Sequence, residues 1–237
     1  MAPPLRTMTC MAVAAVIFDW GGTLTPWHVI DHEALWRDVC APHFPEADVG
    51  PVAAAIYAAE TGFWRQCETL HRSASLDHVF AQAGVTAPAA LLDTYFKTWE
   101  PHTYTDPEVA PLLRELRRRG IKVGVLSNTM WPRALHERVF HRDEVLGLID
   151  GAVYSSEIPW TKPHPEAFRA AMAAIGVTDP ARCVFVGDRP YDDIFGAGSL
   201  GMRTVLVPNS TVPPYAGGVP DAVISRLSEL LPQLDAW

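Results

Sequence analysis

The sequence has little lysine. Among its 19 basic residues only Lys97, Lys122 and Lys162 are lysines, and they stand far apart. With 27 acidic residues the formal net charge is −8. No basic block is present to neutralise a nucleic-acid backbone or an acidic bilayer, so neither is an expected partner. An anionic ligand must therefore meet a local positive site. Paired cysteines are also missing: Cys10, Cys40, Cys67 and Cys183 are scattered, with no C-x-x-C spacing. That argues against a disulfide framework or a zinc site and points to reduced thiols in the cytoplasm. Apolar runs of membrane length are lacking as well. MTCMAVAAVIF (8–18) is too short to cross a bilayer, and Asp-Trp-Gly-Gly follows it where a cleavage site would be needed. Residues 1–11 are expected to form a flexible leader, and the apolar residues after them a buried strand.

What is present is an alternation. VAAVIF (13–18), IKVGVLS (121–127), RCVFVG (182–187) and RTVLVP (203–208) read as strands buried on both faces; GAVYS (151–155) and AVI (222–224) are weaker candidates. Helical patterns lie between them. Asp106-Pro107-Glu108 supplies an N-cap, a first-turn proline and an acid, Val109, Leu112, Leu113 and Leu116 form a stripe, and Gly120 ends it. Pro165 opens a second helix, with Phe168, Ala171, Met172 and Ile175 on one face and Gly176 at its end. This order predicts an α/β fold with a doubly wound parallel sheet. Residues 30–100 contain no convincing strand and predict helices over 31–40, 51–71, 75–83 and 88–99, a helical insert after the first strand. PNSTVPPYAGGVPD (208–221) reads as a surface loop.

In open α/β sheets, ligands gather outside the carboxyl ends of the strands. The first strand ends at Asp19, the second at Ser127-Asn128 and the fourth at Gly187-Asp188, with Asp192 and Asp193 following; Lys162 just precedes a helix at the same edge. Singly, each has a bland reading as a cap, a turn residue or a solvated charge. Together they suit phosphoryl transfer. A carboxylate can attack phosphorus, several carboxylates can hold Mg²⁺, and a lysine with a Ser-Asn turn can stabilise the equatorial oxygens.

FDWGGTLT (18–25), VLSNT (125–129), the lysine of TKPHPEAF (161–168) and VFVGDRPYDDIFGAGSLGM (184–202) together resemble the haloacid dehalogenase superfamily of hydrolases. The motifs occur in the family's order and cover the chain. The resemblance implies a Rossmann-like core over 12–28 and 101–237, with residues 29–100 as a helical cap. It implies that Asp19 is the nucleophile and that Trp20, Ser127, Asn128 and Lys162 bind the phosphoryl oxygens. Asp19, Asp188, Asp193 and the Gly21 carbonyl would hold Mg²⁺. Asp192 is a second candidate for the supporting acid, and spacing does not choose between it and Asp193.

Phosphatases of this superfamily usually carry a second aspartate where Gly21 stands, which protonates the leaving alcohol and later activates water. Glycine does neither, and such acid–base help is worth ~10²–10⁴-fold. His28, on the turn after the motif, is a candidate stand-in. The expectation is a Mg²⁺-dependent phosphatase, a monomer or homodimer, acting on a small phosphorylated metabolite whose leaving group needs little protonation. Alternatives are a binding protein that has lost turnover, a 2-haloacid dehalogenase, and a phosphonoacetaldehyde hydrolase-like enzyme. The last would need a cap lysine, and only Lys97 lies in the insert. Within the insert Arg37, Arg65 and Arg72 are candidates to meet an anionic substrate, and Trp36, Trp64 and Trp99 to line its pocket.

Overall fold

A computed structural model describes residues 12–209 and 211–237, so the expected leader lies outside the described residues. All six apolar runs form strands: β1 (Ala15–Phe18), β2 (Lys122–Ser127), β3 (Gly151–Tyr154), β4 (Cys183–Gly187), β5 (Arg203–Leu206) and β6 (Ala222–Val223). They pair in parallel in the order β3-β2-β1-β4-β5-β6. Every residue of β1 and β4 is buried, which is why these strands read as continuous apolar runs. The strand order reverses beside β1, between β2 on one side and β4 on the other. The carboxyl end of β1 is therefore the topological switch point, where such sheets open a crevice.

Nine helices are described: α1 (His32–Cys40), α2 (Glu46–Leu70), α3 (Leu76–Ala83), α4 (Leu91–Trp99), α5 (Val109–Arg118), α6 (Arg133–Arg142), α7 (Pro165–Ala174), α8 (Gly196–Ser199) and α9 (Leu230–Ala236). The faces of β1 are shared out by its period of two. Val16 and Phe18 pack with Leu112, Leu113 and Leu116 of α5 and with α9; Ile17 packs with Phe168 and Met172 of α7. α5 begins at Val109, later than the expected N-cap at Asp106; the Asp106 carboxylate instead closes the turn ahead of it by accepting from Glu108 N (2.8 Å). α2 begins at Glu46, five residues before the expected start. Pro51 has no N–H to donate back, yet it sits inside this helix; acidic Glu46 and Asp48 occupy the first turn, where the helix dipole favours them.

Helices α1–α4 enclose an apolar cluster of their own, built on Trp36, Val39, Ile56, Val79 and Leu91. It continues into Met130, Trp131, Leu135 and Val139, next to and within α6. Trp36 Nε1 donates to Glu60 (2.9 Å), and Trp131 Nε1 donates to the Tyr95 hydroxyl (2.9 Å), tying α4 to the segment before α6. The insert thus rests on the sheet-bearing part through apolar contact. Among the described residues no helix is long and apolar enough to cross a membrane.

Candidate active site

Asp19 leaves β1 pinned to the neighbouring strand, its N–H donating to Val186 O (2.9 Å). The turn that follows closes on the Trp20 carbonyl, which accepts from Leu24 N (2.9 Å), Thr25 N (3.0 Å) and Thr25 Oγ1 (3.1 Å). Gly22 holds φ at +86°, and a Cβ there would overlap the Asp188 carboxylate. Only glycine lets these two segments touch. Gly21 is different: a Cβ built on it meets no atom within 4 Å.

Lys162 is set by its backbone first. Its N–H donates to Asn128 Oδ1 (2.8 Å), and Asn128 Nδ2 donates back to the Lys162 carbonyl (3.0 Å). The side chain then runs inward to 2 % exposure, and Nζ donates to Asp19 Oδ1 (2.6 Å) and Asp193 Oδ1 (2.7 Å). Burial works against the charge on Lys162, but the two carboxylates more than offset it and hold the ammonium protonated. Asp193 is wholly buried, and its second oxygen accepts from Arg189 N (2.9 Å). Burial pushes its carboxyl pKa up, against the pull of Lys162.

The chain reaches Asp193 through a π-helical turn, Pro190–Phe195, in which Ile194 N donates to Arg189 O (3.3 Å). The wide turn carries Asp193 back under β4, where its carboxylate fills the space a Cβ on Gly187 would take. One oxygen each of Asp19, Asp188 and Asp193 lies within 4.8 Å of the others, and all three residues are buried. A tight set of hard oxygen donors, with no nitrogen or sulfur among them, fits a divalent cation of the Mg²⁺ type. Asp192 stands at the rim, where burial raises its carboxyl pKa while Arg189 and Lys162 oppose the rise.

Ser127 is buried at the end of β2, on the same edge. Trp20 is half-buried against Trp131 (ring centroids 5.3 Å) and His136 (4.6 Å). His28 is exposed and faces His102 (5.2 Å), where the chain leaves and re-enters the sheet-bearing part. The insert residues expected to meet substrate fare differently. Arg37 is exposed and pairs with Glu33 (2.7 Å), because the two are neighbours four apart on one helix face. Arg65 is exposed on α2. Trp36 is fully buried and Trp64 half-buried, both packed in the apolar cluster of the insert. Trp99 is half-buried at the seam, edge-on to Trp131 (5.5 Å). Arg72 lies over the Trp160 ring (5.0 Å). Lys97 is exposed on α4, and Lys122 pairs with Asp150 (3.2 Å) at the opposite end of β2.

The family model of the haloacid dehalogenase-like hydrolases matches residues 13–201. The chain belongs to this family. A glyceraldehyde 3-phosphate phosphatase of Methanopyrus kandleri is 33 % identical to this hydrolase over 153 residues, 61 % of this chain and 61 % of that protein. The chain therefore spans about three-fifths of that relative's length. A phosphoserine phosphatase of Thermus thermophilus is 28 % identical over 216 residues, covering 84 % of this chain and 80 % of the relative. A solved HAD phosphatase of Thermococcus onnurineus superposes with a TM-score of 0.66 over 94 % of this chain and 98 % of that one. At 21 % identity that likeness speaks for the fold alone.

Two residues of this hydrolase escape a reading by motif. His136 is buried with its Nε2 against Thr129 Oγ1 (3.1 Å) and its ring stacked on Tyr154 (4.4 Å), beneath both Trp20 and the turn after β2. Burial pushes its pKa down to about 3, so it is neutral. Nothing in its sequence neighbourhood marks it, since the partners come from three separate segments. Arg189 follows Asp188 directly, and burial of its charge is more than offset by Asp192, Asp188, Asp19 and Asp193. Its signal was available: a cation lying between the acids of one motif.

Proposed function

We propose that this hydrolase is a divalent-cation-dependent phosphatase of small phosphorylated metabolites, specialised for leaving groups that depart as weak bases. The observation that carries this reading is the Lys162 ammonium held between Asp19 and Asp193 at the carboxyl edge of the sheet. Such a constellation binds a phosphoryl group and orients one carboxylate toward it. The phosphatase names of the relatives in Methanopyrus and Thermus support the reaction class. Residues 12–28 and 101–237 form the catalytic core, residues 29–100 its cap, and the cytoplasm its compartment.

Asp19 acts as the nucleophile. One carboxylate oxygen bonds to phosphorus while the bond from phosphorus to the leaving oxygen breaks, and the leaving group takes the electron pair. Lys162, Ser127 and the backbone N–H groups at Trp20 and Asn128 hold the phosphoryl oxygens. Asp193 orients Lys162, and the Asn128 side chain fixes the segment that carries it. When bound by Asp19, Asp188, Asp193 and the Gly21 carbonyl, Mg²⁺ supplies charge neutralisation at the phosphoryl oxygens. Water then attacks the phosphorus of the aspartyl phosphate: the new oxygen bonds to phosphorus, the bond from phosphorus to the Asp19 oxygen breaks with its electron pair returning to the carboxylate, and the water proton leaves with the released phosphate or to solvent. Gly21 offers no proton, so an aryl, enol or acyl leaving group is favoured over an alkoxide.

The test is turnover of an aryl phosphate with Mg²⁺. Hydrolysis that stops in Asp19→Asn and in excess chelator supports the reading. Absence of hydrolysis of aryl and acyl phosphates by the native protein overturns it. Halide release from a 2-haloacid in excess chelator would replace it with the dehalogenase alternative.

A further inference from the structure

The insert arginines stand in different places, and Arg72 lies over the Trp160 ring. Arg37 is occupied by Glu33, and Arg65 points from an exposed position on α2. Lys162 is occupied on both sides by Asp19 and Asp193. Arg189 is a second cation at this edge. Its side chain is about one-third exposed at 34 %, and its side-chain hydrogen bond among the described residues is a long one, 3.5 Å from Nη1 to Asp192 Oδ2. Its guanidinium carbon lies 5.7 Å from the ring centroid of Trp27, on the chain just beyond the glycine turn. Its backbone N–H is tied to Asp193, which anchors the residue beside the reacting carboxylates while the fork stays at the rim.

A guanidinium held by an aromatic face on one side and by one weak acid contact on another presents a planar pair of N–H donors. That geometry matches a carboxylate oxygen for oxygen. Arg189 sits among four carboxylates, Asp19, Asp188, Asp192 and Asp193, in a protein of net charge −8. Any substrate group that is negative in addition to the phosphate would be repelled here, except where Arg189 meets it.

We propose that Arg189, backed by Trp27, is a specificity residue that receives a carboxylate of the substrate, so that this enzyme prefers small phosphorylated acids to phosphorylated alcohols or sugars. This deepens the phosphatase reading and rests on it for the name of the substrate class. Arg189 directly follows Asp188, and its N–H donates to Asp193 (2.9 Å), the carboxylate that also accepts from Lys162.

The test uses binding, which needs no turnover. Calorimetry with Mg²⁺ compares phosphonoacetate, methylphosphonate and methylenebisphosphonate, which carry a carboxylate, no second group and a second phosphonate. The native protein is expected to bind phosphonoacetate at least 10-fold more tightly than methylphosphonate, with methylenebisphosphonate no better than phosphonoacetate. Arg189→Gln should narrow the carboxylate preference to within about 2-fold. Trp27→Leu, at a position 36 % exposed, should reduce it in part and serves if Arg189→Gln does not fold. A carboxylate preference that survives both substitutions overturns the proposal. So does its absence in the native protein, including a protein that binds neither phosphonate, or a clear preference for the bisphosphonate. Aryl phosphate turnover is measured in parallel. Intact turnover without the preference removes only the Arg189 assignment, and the preference without turnover removes only the phosphatase reading.

Discussion

Lys162 lies 143 positions from Asp19 in sequence, yet its ammonium donates to the Asp19 carboxylate at 2.6 Å in a buried site. The same nitrogen donates to Asp193 at 2.7 Å, so one cation holds two carboxylates that would otherwise repel each other. Replacing Lys162 with Met leaves both acids facing one another without it. Aryl phosphate turnover is expected to fall by at least ~10²-fold, in line with losing a central electrostatic group. Circular dichroism establishes that the variant is folded. Turnover within threefold of the native rate would remove Lys162 from the mechanism.

The space beside Gly21 is open, so an aspartate fits where the acid is missing. Gly21→Asp is expected to raise turnover of an alkyl phosphate by ~10²–10⁴-fold while changing an aryl phosphate far less. The comparison of the two substrates is the measurement. An equal gain on both would mean that the new carboxylate acts by something other than protonating the leaving group.

The two adjacent glycines should answer alanine in opposite ways. Gly21→Ala has room, and its effect on the urea midpoint should be neutral or slightly favourable through the unfolded chain. Gly22→Ala puts a Cβ at φ +86° and into the Asp188 carboxylate. A loss of more than about 1 kcal/mol is expected there, because alanine is strained at positive φ. Mg²⁺-dependent turnover should fall with it. Similar midpoints for the two variants would contradict the contact between the glycine turn and Asp188.

His136 makes stability depend on pH. Its pKa is about 3 in the folded protein, against 6.5 for the free side chain, because burial excludes the charged form and Arg133 adds to the effect. Between these values the unfolded chain binds the extra proton. The stabilisation is complete above about 6.5 and is lost as pH falls toward 3, by at most about 1.4 kcal/mol per pH unit. Urea midpoints at pH 7 and pH 5 measure it. His136→Gln, which cannot protonate, should show a shallower decline than the native protein, and parallel declines would assign the pH dependence to other groups.

Much of this was legible in the chain. All six strands, the turn at Asp106 ahead of α5 and the placement of Asp19, Ser127, Lys162 and Asp188 at one edge follow from apolar runs, turn residues and chain order. These are local or periodic properties, and a parallel α/β sheet leaves few ways to assemble them. The start of α2 was not legible, because Pro51 is a stop signal locally and the packing of the insert overrides it.

The sequence by itself determined which residue types stand at the carboxyl ends of the strands, and that Gly21 takes no part in proton transfer. Only the tertiary structure decided what each side chain does with its neighbours. It set Asn128 to hold the Lys162 backbone, closed Arg37 into a surface pair with Glu33, and left Arg189 about one-third exposed over Trp27. The physical reason is that burial and hydrogen-bond partnership are properties of atoms far apart in the chain. A guanidinium or an amide takes its role from whichever donors and acceptors the packing brings within about 3 Å.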